Sequence, residues 1–178
     1  QDPFVAIFNP FFEGENQVIS NVSFSDNMDN KSAQILQVTH ADNETRDHIV
    51  VTASENDIVE TEDFYQKGLL SITRETGSEL DFIFSAGVTR YSEKGWEILS
   101  LREPVTLSIE RIERGFEIQN NEAVLIGVPE ILNPEYIEIY ADGKLLATRK
   151  GVKNRNDPDR IDFRLEQAFQ KAIIILKQ

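Results

Sequence analysis

The 178-residue chain has no cysteine, one methionine, one tryptophan and two histidines. Without cysteine there are no disulfides, no thiolate zinc sites and no cysteine nucleophile. Two histidines leave little material for imidazole metal centres or for the general bases of hydrolases. No serine stands in a Gly-x-Ser-x-Gly elbow, so a nucleophile triad has no starting point. Positive charge is also scarce, with 18 Lys and Arg against 31 Asp and Glu and a formal net charge of −13. Such a chain repels phosphate backbones and anionic lipid, which argues against nucleic-acid partners. No apolar run approaches the roughly 18–20 residues of a membrane helix, so membrane insertion is not expected. The longest clean apolar stretch, Ala172–Leu176, is the size of a strand.

What remains is an ordinary globular composition, 40% hydrophobic and 28% charged. A chain of this length can bury roughly two thirds of its unfolded surface and needs no staple. Period-two alternation of β-branched and aromatic residues runs through it, broken by turn residues every 8–14 positions. That pattern predicts an all-β, antiparallel sandwich with little helix, as one large or two tightly packed units. A division into residues 1–103 and 104–178 is suggested at Glu103-Pro104, where a polar turn precedes a new run of strands. No Gly/Ser or Pro-rich linker marks that point, so one continuous domain is the alternative.

The clearest local signal is Tyr136–Thr148, where Asp142-Gly143 separates two extended runs. Asp-Gly accepts the positive φ of a type I′ turn cheaply, so a hairpin is expected there. Two stretches carry helical patterns: Asp57–Tyr65, ended by Gly68, and Arg164–Lys171, with Leu165, Ala168 and Phe169 on one stripe. From Tyr136 to Leu176 the hairpin, a polar loop, Ile161–Leu165 and the closing Ala172–Leu176 run resemble the last strands of bacterial immunoglobulin-like and fibronectin-like modules. The long loop at Lys150–Asp159 departs from that pattern. The resemblance implies an extracellular interaction or spacer role.

Several groups of residues invite a functional reading. Phe4, Val5, Ile7, Phe8, Phe11 and Phe12 form an apolar arm between two Xaa-Pro breaks, suited to adding a strand to a neighbouring subunit. The alternative is a first strand packed into its own core. Trp96, close to Tyr91 beside a turn, offers a sugar-stacking platform, or else a core residue at a sandwich edge. Asn154, Asn156, Asp157, Asp159 and Asp162 cluster hard oxygens suited to Ca²⁺, without the glycine and terminal glutamate of an EF-hand loop. The Ser25–Asn30 run is a similar case. His40 and His48 flank the polar turn Ala41–Asp47, so that with Asp42 and Asp47 they would form a metal site if they faced one another. Carboxylate pairs such as Glu55/Asp57, Glu60/Glu62/Asp63, Glu110/Glu113 and Asp157/Asp159/Asp162 are what chance supplies among so many acids.

Gln1-Asp2-Pro3 reads as a mature end left by signal-peptide removal, and a secreted or cell-surface location is expected. The sequons at Asn21, Asn30 and Asn43 bear glycans only in that setting. No catalytic set is visible. The expectation is therefore an acidic, non-enzymatic structural or interaction protein, such as a subunit of a surface filament or appendage that self-associates through its N-terminal strand. A glycan-binding module built on Trp96 and a virion structural protein are the alternatives.

Overall fold

The computed structural model describes residues 18–24, 33–62, 64–93, 96–132 and 134–177. Within them the chain is almost wholly strand: β1 (Ile19–Phe24), β2 (Ala33–His40), β3 (Thr45–Thr52), β4 (Ile58–Glu60), β5 (Phe64–Thr76), β6 (Glu79–Glu93), β7 (Trp96–Ser100), β8 (Val105–Ile112), β9 (Gly115–Asn120), β10 (Val124–Pro129), β11 (Tyr136–Ala141), β12 (Lys144–Lys150), β13 (Val152–Lys153), β14 (Arg160–Leu165) and β15 (Phe169–Lys177). One 3₁₀ turn, Glu130–Leu132, is the sole helical element among the described residues. Every pairing is antiparallel, as the alternation predicts.

The pairings trace two layers that share β5 and β6. One runs β1-β2-β3-β5-β6-β8-β9-β15-β11-β12; the other runs β4-β5-β6-β7-β10-β14-β13. Two long strands pass from layer to layer at a corner, where the register slips between Lys67 and Gly68 and again between Ser85 and Val88. Gly68 takes φ +144 there and Gly87 φ +63. A Cβ on Gly68 would stand 2.4 Å from the Val88 Cα and 2.5 Å from the Gly87 carbonyl oxygen. Only glycine fits so close a backbone approach, and such bends are how strands switch sheets. At the bend, side chains meet the Gly68 carbonyl. Thr52 Oγ1 donates to it at 2.6 Å and Gln66 Nε2 at 3.1 Å, while Ser71 Oγ donates to Gln66 Oε1. A buried carbonyl left unmet is costly, which explains a fully buried glutamine at this place.

Between the layers lies one apolar core. Val50, Ile83, Leu107, Ile109, Phe116, Ile118, Ile137 and Ile174 face it from one sheet. Trp96, Ile98, Val124, Ile126, Val128, Phe163 and Leu165 face it from the other. The Trp96 ring meets Phe116 edge-on across the gap, 5.4 Å between centroids with planes at 80°. Each such side chain contributes on the order of 1.5–3 kcal/mol by leaving water.

The hairpin at Asp142-Gly143 forms with φ values of +50 and +71, as its residues demand. Neither helical stretch is helix. Asp57–Tyr65 contains β4 and a tight turn, in which the Thr61 amide donates to the Phe64 carbonyl at 2.9 Å, setting Val59 against Gln66. Arg164–Lys171 holds the end of β14, a turn and the start of β15. Asn120 pins that turn by donating to the Gln167 carbonyl and accepting the Phe169 amide. Tertiary pairing overrides the short helical stripes in both cases. Hydrogen bonding is continuous through Glu103-Pro104: β6 pairs with β8, and β7 pairs with β10.

Candidate functional site

A cleft of about 670 Å³ opens on the outer face of the second layer, beside the loop that holds Asn154, Asn156 and Asp157. Its floor follows from register. Tyr65, Ser92, Glu97, Gly127 and Asp162 stand opposite one another on five successive strands, so they share one face. Gly127 leaves the centre of this row bare, since a Cβ there would lie 2.3 Å from the Arg160 Cδ. The Arg160 stem crosses that gap, and its guanidinium pairs with the buried Glu97 carboxylate. Glu97 is also held by Arg90 Nε at 3.1 Å, and Arg90 lies over the Tyr65 ring at 4.9 Å. On its other side Arg160 Nε donates to Asp162 Oδ1 at 2.8 Å, while Asn154 Nδ2 donates to Asp162 Oδ2 at 2.8 Å. Charge is thus balanced along the floor, and the network ties β6, β7, β14 and the loop together.

That network engages Asp162 and Asn154 of the five residues expected to suit Ca²⁺. Asn154 Oδ1 accepts the amides of Asn156 and Asp157, and Asp157 Oδ1 accepts the amide of Asp159. With Asp162 bound to Arg160 and Asn154, the segment closes on itself as a side-chain-to-backbone turn. Trp96 and Tyr91 are 8% and 1% exposed, whereas a sugar-stacking platform needs an open ring face. The parity of β6 and β7 turns both inward, where the Tyr91 hydroxyl donates to Glu93. Phe4, Val5, Ile7, Phe8, Phe11 and Phe12 lie outside the described residues, as does the Ser25–Asn30 run.

The two histidines do not meet. Asp47 pairs with Val38 and His48 with Gln37, so His40 and Asp47 share one sheet face while His48 points to the other. On its face His40 Nε2 lies 2.9 Å from Asp47 Oδ2, and Arg74 Nε donates to Asp47 Oδ1 at 2.7 Å. Partial burial raises the Asp47 carboxyl, but the hydrogen bonds from Arg74 and His40 outweigh it and hold the group below the usual range. Asp42 caps the turn by accepting the amides of Glu44 and Thr45.

On the inner face His48 reaches a polar pocket that sequence reasoning missed. Its Nδ1 lies 3.3 Å from Oε1 of Glu93, which comes from the opposite layer. The Glu93 carboxylate and that of Glu75 are both buried. Burial pushes Glu93 up, but hydrogen bonds from His48 and Tyr91 and the nearby Thr73 hydroxyl bring it below the usual carboxylate range. Tyr91 moves the other way, well above the usual phenol value, through burial and then the adjacent Glu93 charge. Ser71, Thr73 and Glu75, three polar residues on one side of β5, line up on this pocket's side of the strand.

The two layers end in strands with one partner each among the described residues, β1 and β12 in the larger. β1 carries neither a charge nor a proline, and its Val22 and Phe24 are 39% and 61% exposed. On β12, Leu145 and Leu146 are exposed beside Lys144, Arg149 and Lys150. No known family model matches the chain, and no curated protein is similar enough to count as a relative.

Proposed function

We propose that this is a non-enzymatic structural or interaction protein of the cell exterior that assembles with further copies of itself by strand addition. The observation that carries the reading is β1, a strand at the end of its layer with one partner among the described residues. Soluble proteins blunt such edges with lysine or proline, because an exposed row of amides and carbonyls recruits any passing strand; β1 has neither, and its one irregularity is a register shift between Ile19 and Asn21. Here six residues offer no charge in a chain that is 28% charged, and two large apolar side chains, Val22 and Phe24, stand exposed along the strand. A second copy supplies the missing partner, with the apolar Phe4–Phe12 segment as the added strand. Repetition of such a contact that does not close on itself builds a filament.

On the cleft floor Glu97 and Asp162 are paired with Arg90 and Arg160, an arrangement that stiffens three strands. Deleting Gln1–Phe12 tests the assignment: the expected product melts cooperatively yet no longer associates. A deletion that unfolds the chain would make those residues part of its own core and remove the donor strand from the proposal.

A further inference from the structure

We propose that His48, Glu75 and Glu93 bind a divalent transition-metal ion between the two layers, with Zn²⁺ the best match. One ligand atom from each residue lies within 4.8 Å of the others. Ligands bound at about 2.0–2.2 Å in a tetrahedron stand roughly 3.3–3.6 Å apart, so a contraction of about an ångström closes the set. The three residues come from β3, β5 and the far end of β6, and the corner at Gly68 and Gly87 folds them together.

Charge and hydrogen bonding both call for a cation. Two buried carboxylates this close repel each other, and a divalent ion between them neutralises both. Arg46 stands opposite Glu75 in the ladder, at the exposed rim of the pocket. Glu93 Oε2 is held by the Tyr91 hydroxyl, an orienting partner of the kind that fixes metal ligands. The Thr73 hydroxyl, wholly buried, lies at the same spot beside Glu93 and Tyr91. The His48 side chain is 25% exposed, which leaves a way in from solvent. One imidazole nitrogen with two carboxylates suits zinc or manganese, whereas Ca²⁺ demands six or more oxygens.

His40 provides an internal control, since it also pairs with a carboxylate but on the opposite face. The full chain, stripped with chelator and titrated with Zn²⁺ alone, is expected to take up one ion by calorimetry and elemental analysis. His48→Gln and Glu93→Gln should each weaken uptake at least tenfold, while His40→Gln leaves it unchanged. Should the pocket variants fail to fold, the imidazole NMR signals of the unaltered chain decide: Zn²⁺ should move those of His48 and leave those of His40. Absence of uptake would overturn the proposal. So would loss of uptake on replacing His40, or movement of the His40 signals alone.

Discussion

Replacing Gly68 by alanine puts the corner to the test. The residue holds φ +144, where a Cβ-bearing residue is strained, and its new methyl would stand 2.4 Å from the Val88 Cα and 2.5 Å from the Gly87 carbonyl oxygen. Backbone strain of this kind costs about 1–3 kcal/mol. Overpacking against atoms that cannot swing aside adds about 1–3 kcal/mol more. Shifting Val88 also disturbs the pairing that carries Tyr91 and Glu93 inward, so Gly68→Ala should cost about 3–5 kcal/mol. Gly77 is the control, with φ +63 but nothing within 4 Å of a Cβ, and Gly77→Ala should cost about 1 kcal/mol. The difference is about 3 kcal/mol, roughly 6–12 °C in melting temperature for a chain of this size. Urea titrations and thermal melts followed by circular dichroism read it directly. Equal melting temperatures for the two variants would refute the account of how β5 and β6 change layers.

Other outcomes follow from the same contacts. Arg160→Met should destabilise by about 3–5 kcal/mol in urea titration, because it strands the buried Glu97, while the Arg160→Met/Glu97→Met double variant recovers most of that loss. The fluorescence of Trp96, the one tryptophan, should be blue-shifted and resist acrylamide, and Trp96→Ala should cost about 3–5 kcal/mol in the same titration. Glu93 titrates lower when folded than when unfolded, so its stabilising effect is complete above the ordinary glutamate value of about 4.3. The effect fades as pH falls from there through the lower folded value, and acid titration of Glu93→Gln should show a shallower loss of stability over that window.

Legibility in the sequence followed the local rules. The Asp142-Gly143 hairpin was readable because two residues decide its turn, and most strands announced themselves by alternation. β5 shows where that reasoning fails. Its apolar Leu70 and Ile72 alternate with Ser71, Thr73 and Glu75, which would place the polar set outside, yet the polar set is the more deeply buried. The reason is the corner: it brings Tyr91 and Glu93 over that face, and the Gly68 carbonyl needs donors there. No local pattern encodes a partner 18 residues away in the chain, such as Glu93 for Glu75. For Trp96 the sequence left two readings open, a sugar platform or a core residue, since a turn stands beside it; the pairing of β7 with β10 turns the ring onto Phe116. The cleft floor was equally hidden, because Glu97, Gly127 and Asp162 meet only through the pairing of β7, β10 and β14.

The most direct test of assembly at the β1 edge is the native mass by light scattering, measured across a concentration series. The unaltered chain should form species well above the 20.3 kDa monomer, with fibres or rings in negative stain. Val22→Lys and Phe24→Lys should return it to monomer with stability changed by no more than about 0.5 kcal/mol, since both side chains are exposed. A 20.3 kDa monomer at every concentration, or assemblies indifferent to both lysines, would contradict the account.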